Sequence, residues 1–413
     1  MATTPSWVSH CVWWQVYPLG FSGAHPPTGV AGRGLRHLIG WLDYARDLGA
    51  SGLALGPIFS SQSHGYDTLD YFAIDPRLGQ SEDFDALVAA CHERGLKVML
   101  DGVFNHVGAG HPWLRQALAE GPDGPYAQFF ALDWSGGQPK PRFFEGHSSL
   151  VELNHQNLQV AEFVQTVMSH WLDRGADAWR LDAAYRTPTP FWHAVIPAVR
   201  RDHPEAWFVG EVIHGDYARI VKSSGLDAVT QYELWKAVWS SLASDNFFEL
   251  DWALRRHNGW LESFAPMTFV GNHDVTRLAS QVGQAKIVLA LAVLATVGGV
   301  PSFYYGDEQG FVGLKQERAG GDDEIRPAFP ASPAELSPAG WWVYRACQDL
   351  VGLRRRHPWL AGAQTEKREL TTTRYVYASR APEGELTVEL DLGRQPGVVI
   401  RDSQGEILYR WPK

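Results

Sequence analysis

The feature of this sequence that most limits its fold is an alternation of short apolar runs with longer helical patterns. Helices between runs of this kind predict parallel strands that are buried on both faces. Eight such units favour an α/β fold in the form of a closed (β/α)8 (TIM) barrel, with any active site at the C-terminal ends of the strands. The candidate strands are VWWQVYP (12–18), GLALG (52–56), KVMLDGV (97–103), ADAWRLD (176–182), AWFVGEV (206–212), LDAVTQY (226–232), MTFVGN (267–272) and PSFYYG (301–306).

Two regions depart from this alternation. Residues 107–159 are rich in Gly, Pro and aromatic residues with little helical periodicity, and a connection of that length is usually a functional excursion. Residues 364–413 form short strand-like runs separated by Pro and Gly. We therefore predict a barrel formed by residues 1–106 and 160–363, a small inserted domain after the third strand, and a short C-terminal β domain.

Charge and hydropathy limit the kinds of partner that the protein is expected to bind. The net charge of −10 argues against nucleic acid and against an anionic membrane surface, because both favour a basic face. The apolar stretch 287–300 is shorter than the ~20 residues that a membrane helix needs, and it predicts a buried helix that runs into a buried strand.

The N-terminus lacks the basic start and apolar run of a secretory signal, so a cytoplasmic protein is expected. The three cysteines are far apart and predict no disulfide framework.

Acidic residues recur at the ends of the predicted strands. Asp101, Asp182, Glu211 and Asp274 stand at or just beyond the third, fourth, fifth and seventh of them. In a barrel these ends converge, so the four side chains are expected to share one cleft. Clustered buried acids are costly without partners. Arg180, on the same strand face as Asp182, is expected to hold that carboxylate ionised.

Four segments around these residues resemble the signature regions of the α-amylase family, glycoside hydrolase family 13. They occur in the family order and spacing: DGVFNH (101–106), GADAWRLDAA (175–184), VGEVIHG (209–215) and FVGNHDVTR (269–277). Accessory regions of the family resemble HGYDTLDYFAIDPRLG (64–79), VELNHQN (151–157) and VGGVPSFYYGDEQG (297–310). The resemblance implies a domain B after the third strand and a C-terminal β domain, in agreement with the pattern above.

The resemblance also implies roles for individual residues. Asp182 is expected to be the nucleophile, Glu211 the acid/base that holds a proton, and Asp274 a residue that binds sugar hydroxyls and distorts the ring. A retaining displacement needs the two carboxyl groups of nucleophile and acid/base roughly 5–5.5 Å apart. Substrate contacts are implied for Tyr66, Asp67, His106, Arg180, His273 and Arg326.

Within the family, this sequence is most similar to the group of cyclomaltodextrinases, neopullulanases and maltogenic amylases. That group carries an N-terminal β domain that helps to form its dimer, whereas this sequence begins almost directly at the first strand, so a monomer and a homodimer are both expected alternatives. Residues 183–186 lack the Lys-His pair of many starch-degrading members, and Ile213 replaces a frequent aromatic residue. Substrate preference therefore does not follow from the resemblance.

The resemblance predicts a retaining hydrolase of α-1,4 bonds in maltooligosaccharides or cyclodextrins, with α-1,6 bonds left open. A transglycosylase or isomerase of the trehalose synthase type is the alternative, because the covalent intermediate can be passed to a sugar. A non-catalytic carbohydrate-binding homologue is disfavoured by the presence of the three catalytic acids. No cofactor is required. Asn105 corresponds to a ligand of structural calcium in many members, and the alternative is that it fixes a loop by hydrogen bonds.

Overall fold

The computed structural model describes residues 4–24, 32–136, 138–318 and 320–412. Within them, an eight-stranded parallel sheet closes on itself. The strands pair in the order β6–β5–β4–β3–β2–β1–β8–β7, and a parallel bridge between Thr230 and Met267 joins the two ends. The predicted (β/α)8 barrel is therefore confirmed. Its strands are β1 (Trp13–Val16), β2 (Gly52–Leu55), β3 (Lys97–Gly102), β4 (Ala178–Leu181), β5 (Trp207–Gly210), β6 (Ala228–Val229), β7 (Met267–Phe269) and β8 (Val300–Tyr304).

Helices follow the strands and cover the outside of the barrel. Residues 34–49 form two helices, because the backbone turns at Trp41, whose N–H donates to Leu38 O at 2.9 Å. The described helices are α1 (Pro18–Phe21), α2 (Gly34–Ile39), α3 (Leu42–Leu48), α4 (Ser81–Glu93), α5 (Pro112–Glu120), α6 (Leu158–Asp173), α7 (Thr189–Asp202), α8 (Tyr217–Ser224), α9 (Tyr232–Ala243), α10 (Phe248–Leu261), α11 (Leu278–Val282), α12 (Ile287–Thr296) and α13 (Trp341–Arg356).

Two details of the predicted pattern are wrong. The run 226–232 is not one strand, since α9 begins at Tyr232, where the Gln231 side chain accepts a hydrogen bond from the Leu234 N–H at 3.1 Å. The segment 107–159 contains helix α5, which the weak periodicity does not indicate. Pro112 occupies the first position of α5, where its missing N–H costs nothing.

The segment between β3 and α6 folds as a small antiparallel unit at the C-terminal end of the barrel. His106–Gly108 pairs with Leu150–Glu152, and Leu132–Asp133 pairs with Lys140–Pro141. The inserted unit after the third strand is therefore present, while its limits, 107 and 159, stay predictions. A separate hairpin pairs Phe59–Ser61 with Thr68–Ile74 before α4.

A five-stranded antiparallel sheet ends the described chain and confirms the predicted C-terminal β fold. Its strands are β9 (Gln364–Leu370), β10 (Arg374–Ala381), β11 (Gly384–Asp391), β12 (Gly397–Asp402) and β13 (Ile407–Trp411). The sheet is fastened to the barrel helices by polar contacts: Tyr377 Oη lies 2.7 Å from Thr296 Oγ1, and Asn258 donates to Thr365 O at 2.7 Å. The exact boundary at 364 stays a prediction.

The core contains the apolar runs that the sequence analysis singled out. Helix α12 is buried along its whole length and leads into buried β8, as predicted. Among the described helices, none has both the length and the apolar character needed to cross a bilayer. The three cysteines, Cys11, Cys91 and Cys347, are buried thiols.

Candidate active site

Strand register brings the predicted acidic residues together. Leu181 on β4 is the partner of Gly210 on β5. The residues that follow them, Asp182 and Glu211, therefore lie side by side at the ends of adjacent strands. On the other side of β4, Arg180 is the partner of Asp101 on β3. Parallel pairing therefore places one cation and three carboxyl groups at one end of the barrel.

The buried Arg180 guanidinium lies at the centre of this group. Its Nη1 donates to both oxygens of Asp101 at 2.7 Å and to Asp182 Oδ1 at 3.2 Å. Its Nη2 lies 2.7 Å from Glu211 Oε1. The carboxyl groups of Asp182 and Glu211 thus face one another across a single guanidinium.

Two further donors hold Glu211. The Ala183 N–H donates to Oε2 at 3.0 Å, and Tyr232 Oη donates to Oε1 at 3.1 Å. Asn272 in turn donates to Tyr232 Oη at 2.9 Å. Ala183 has a φ of 45°, a left-handed conformation that costs a residue with a Cβ of order 1–3 kcal/mol. This strained backbone aims the N–H at the carboxyl group.

The charges in this group are not compensated equally. Burial and the neighbouring Glu211 carboxylate raise the pKa of Asp182 well above its usual value. Burial also raises the pKa of Asp101, although Arg180 acts in the opposite direction. The expectation that Arg180 simply keeps Asp182 ionised is too simple, because one guanidinium serves three carboxyl groups. In a dry site, neighbouring carboxylates oppose the ionisation of Asp182.

Asp274 has the opposite electrostatic environment. Arg326 Nη2 lies 2.9 Å from its Oδ1, and His273 Nε2 lies 3.0 Å from its Oδ2. Although burial acts to raise it, these two neighbours hold the pKa of Asp274 well below its usual value. Its side chain is 31% exposed to the cleft. Asp274 is therefore an ionised carboxylate that faces the cleft.

The Tyr66 ring covers the neighbouring part of the cleft wall. It lies parallel to the His273 ring with centroids 5.4 Å apart, and its hydroxyl contacts His273 Nε2 and donates to Asp101 Oδ2 at 3.0 Å. His106 is buried beside it, with Nε2 3.1 Å from Tyr66 O. Burial lowers the pKa of His106 to about 4, so this imidazole is neutral near pH 7.

These groups open into one cleft with a volume of ≈ 310 Å³. Five of the predicted site residues lie in its wall, and Arg180 and His273 lie beneath it. The described residues that line the cleft are Tyr66, His106, Phe144, Glu145, Leu150, Asp182, Ala183, Tyr185, Glu211, Ile213, Tyr232, Asp274, Val275 and Lys315.

Besides Arg180 and His273, the predicted substrate contacts Asp67 and Arg326 do not lie in this wall. The Asp67 carboxylate accepts hydrogen bonds from the N–H groups of Ser63 and His64 at 3.0 and 3.2 Å, so it holds its own loop. The Arg326 guanidinium donates to Asp274 Oδ1 and to the backbone oxygen of His273, both at 2.9 Å, and does not itself line the wall. Direct contact of Asp67 with the substrate therefore lacks support in this geometry.

Several wall residues were missed by the sequence analysis. Phe144 and Glu145 come from the inserted segment and Lys315 from the loop after β8, where no periodic pattern predicts orientation. Tyr232 was placed in a strand. Gln231 is a helix-capping side chain, and that signal could have placed Tyr232 at the start of a helix instead.

The contacts of Asn105 are those of a loop-fixing residue. Its side chain lies 3.1 Å from His106 Nδ1 and accepts from Thr187 Oγ1 at 3.5 Å, and its backbone oxygen accepts from the Leu153 N–H at 3.0 Å. Calcium sites usually include carboxylates, and none of these described contacts brings one. We therefore derive no step through calcium, and calcium dependence stays a prediction.

Eight parallel strands that close into a barrel, with carboxyl groups clustered at the ends of adjacent strands, define the class of (β/α)8-barrel proteins with an acidic site at one end of the barrel. A family model described as alpha amylase, catalytic domain, matches residues 15–337. The chain therefore belongs to the alpha-amylase family, as the motifs predicted.

Relatives of known name share both sequence and fold with the chain. The cyclomaltodextrinase of Geobacillus thermopakistaniensis is 31% identical over 383 residues, which cover 86% of this chain and 63% of that protein. The chain thus spans less than two thirds of that relative. The debranching enzyme of Nostoc punctiforme superposes with a TM-score of 0.81 at 27% identity, covering 95% of this chain and 91% of that one. The cyclic α-maltosyl-(1→6)-maltose hydrolase of Arthrobacter globiformis superposes with a TM-score of 0.82 at 25% identity, covering 98% of both chains.

Proposed function

We propose that the protein hydrolyses α-glucosidic bonds of short or cyclic maltooligosaccharides by a retaining double displacement. The observation that carries the proposal is the pairing of Asp182 and Glu211 across one buried guanidinium at adjacent strand ends. The names of the similar proteins, a cyclomaltodextrinase, a debranching enzyme and a cyclic maltosyl-maltose hydrolase, support α-1,4 bonds with α-1,6 bonds as an alternative.

In the first step, the Asp182 carboxylate attacks the anomeric carbon while Glu211 gives its proton to the departing glycosidic oxygen. The bond from the anomeric carbon to that oxygen breaks, and an ester bond to Asp182 forms. In the second step, Glu211 takes a proton from water, whose oxygen attacks the same carbon and releases Asp182. One water molecule is consumed, and the anomeric configuration is retained.

Asp182 has to be ionised before the first step. In the free protein, burial and the neighbouring carboxylates raise the pKa of Asp182 and so favour a proton on it. A bound sugar brings a carbon that develops positive charge against Asp182 and an oxygen that accepts a hydrogen bond from Glu211. Both effects favour an ionised Asp182 and a protonated Glu211.

Asp274 supplies the charge that complements the reacting sugar. Its low pKa keeps it ionised, so it can accept hydrogen bonds from sugar hydroxyls and stabilise the oxocarbenium-like transition state. Arg326 and His273 orient it. Tyr66 offers a ring face to the same sugar. Neutral His106 contacts the Tyr66 backbone oxygen through Nε2 and so positions that residue.

The experiment that tests this function is incubation with maltose, maltotriose, cyclodextrins, pullulan, isomaltose, sucrose and trehalose, with products resolved over time. Hydrolysis by this mechanism releases new reducing ends, and proton NMR should detect the α anomer first. A β anomer as the first product, or no product from any substrate, would contradict the proposal. Transfer or isomerisation is recognised by products that conserve the number of glycosidic linkages.

Location and assembly are tested separately from the reaction. We propose a cytoplasmic protein that acts as a monomer or a homodimer on oligosaccharides, without nucleic acid or membrane as partner. Cell fractionation tests the location, and light scattering coupled to gel filtration tests the assembly. Activity in the presence of a calcium chelator tests the role of Asn105.

A further inference from the structure

Three consecutive residues of the loop that follows Asp182 contact the inserted segment or Asn105, which lies just before it. Tyr185 Oη donates to Glu145 Oε1 at 2.8 Å, and Arg186 Nη2 lies 3.8 Å from Glu152 Oε1. Thr187 completes the series through its hydrogen bond to Asn105. The first of these contacts lies inside the cleft, because Tyr185 and Glu145 both line its wall.

Glu145 is held in an unusual conformation. Its φ of 48° and ψ of 27° lie in the left-handed region, which costs a residue with a Cβ of order 1–3 kcal/mol. Glu145, Ala183 and Asp245 are the described residues other than glycine with positive φ, and the first two line the cleft. Such strain persists where the surroundings enforce it, and it is concentrated at functional sites.

Contacts of its neighbours place Glu145 beside the acid/base. The Tyr185 ring packs edge-on against the His214 ring, with centroids 5.2 Å apart, and His214 follows Glu211 by three residues. Phe144 stacks on His106 with ring centroids 4.5 Å apart and so fixes the residue that precedes Glu145. Through Tyr185, Glu145 therefore lies on the same side of the cleft as His214 and the turn that follows Glu211.

The chemistry of the pair suits recognition of sugar hydroxyls. An ionised carboxylate has about four acceptor positions, and Tyr185 uses one of them on Oε1. Two neighbouring hydroxyls of a pyranose are spaced so that both can donate hydrogen bonds to one carboxylate. Glu145 is exposed to solvent in the free protein, so a bound sugar can reach its remaining acceptor positions.

We propose that Glu145, positioned by Tyr185, is a specificity-determining residue that accepts hydrogen bonds from the sugar on the leaving-group side of the cleaved bond. This inference rests on the proposed function, since the leaving-group side is defined by Glu211 as the acid/base. Glu145 therefore favours a sugar as the leaving group over an alcohol that has no neighbouring hydroxyls.

The test compares two substrates with the same maltosyl donor and different leaving groups, maltotriose and nitrophenyl α-maltoside. The measured quantity is the ratio of kcat/KM for maltotriose to kcat/KM for the nitrophenyl substrate. E145Q is expected to lower this ratio about tenfold, mainly through KM for maltotriose, because charge-assisted hydrogen bonds are lost. Y185F should lower it about threefold, since only the hydroxyl that orients the carboxylate is removed.

The matched control is E383Q, which changes an exposed glutamate in the turn between β10 and β11 and should keep the wild-type ratio. An unchanged ratio in E145Q, or equal losses on both substrates, would overturn the inference. If the wild type cleaves neither substrate, the proposed function fails separately. Calorimetric binding of maltotriose to wild type and E145Q then tests the inference directly, with weaker binding by E145Q expected and equal binding contradicting it.

Discussion

The floor and the rim of the cleft hold their charges in different ways. The floor, formed by Asp101, Arg180, Asp182 and Glu211, comes from barrel strands or the first residues after them, and it is buried. The rim, formed by Glu145, Tyr185 and Lys315, comes from the inserted segment and from loops, and it is exposed or half-buried.

This difference has an energetic consequence. In the floor, one guanidinium compensates three carboxyl groups in a dry environment, where an unpaired charge is expensive. In the rim, water screens each charge, so a single contact contributes little. The floor is therefore expected to control reaction and stability strongly, and the rim to control selectivity weakly. The following variants test that division.

The largest effect is expected from D182N and E211Q. D182N removes the group that forms a bond to the sugar, and E211Q removes the group that transfers the proton. Turnover of an activated α-glucoside should therefore fall at least about a thousandfold in each variant. Steady-state kinetics measures the loss, and an unchanged circular dichroism spectrum serves as control for folding. Near-wild-type rates in either variant would remove the mechanism.

The next largest effect is expected on stability from R180A. Loss of the guanidinium leaves three buried carboxyl groups without their cation, and removing one partner of such a group typically costs about 3–5 kcal/mol. Urea unfolding measures the change in the free energy of unfolding. R180K should recover only part of it, because an ammonium cannot donate in the fork geometry of a guanidinium. A loss below about 1 kcal/mol in R180A would contradict the importance of the floor.

A smaller, pH-dependent effect should distinguish Asp182 from Asp274. The pKa of Asp182 is raised in the folded protein. The free energy of unfolding therefore falls as pH rises from the unfolded pKa, about 3.9, through the folded pKa. D182N should therefore raise the free energy of unfolding at pH 7 by about 1 kcal/mol, and the gain should shrink near pH 4. Thermal unfolding at several pH values measures both.

D274N is the matched comparison with the opposite sign. The folded pKa of Asp274 is depressed, so its ionised form stabilises the fold above the unfolded pKa of about 3.9. D274N should therefore lower Tm at pH 7, and the loss should disappear as pH falls through the folded pKa. The same sign of change in both variants would show that the two carboxylates do not differ as described.

The smallest effect is expected in the rim from K315A. Lys315 is 40% exposed, and its Nζ lies 3.5 Å from Asp322 Oδ1. Exposed pairs contribute little, so the free energy of unfolding should change by less than about 0.5 kcal/mol in urea. A loss comparable to that of R180A would mean that rim and floor are not energetically distinct.

Most of the barrel could be predicted because its signals are local. Each strand is a short apolar run, and Asp182 and Glu211 stand at the ends of two of them, so the (β/α)8 rule itself implies their meeting. The inserted segment was harder to predict. Helix α5 and the turn at Glu145 lie where composition is irregular, and their conformations depend on contacts with distant residues such as Tyr185 and His106.

The sequence by itself determined the barrel, the family and the acidic residues that converge, because periodicity and strand-end position are properties of short stretches of chain. Only the tertiary structure decided how charge is shared among them. The sequence shows Arg180 beside Asp182, but the fold also brings Asp101 and Glu211 to that guanidinium. The fold likewise bonded the Asp67 carboxylate to its own loop and placed Glu145 in the cleft wall. The physical reason is that burial and electrostatic coupling depend on distances between residues far apart in the chain, which no local pattern encodes.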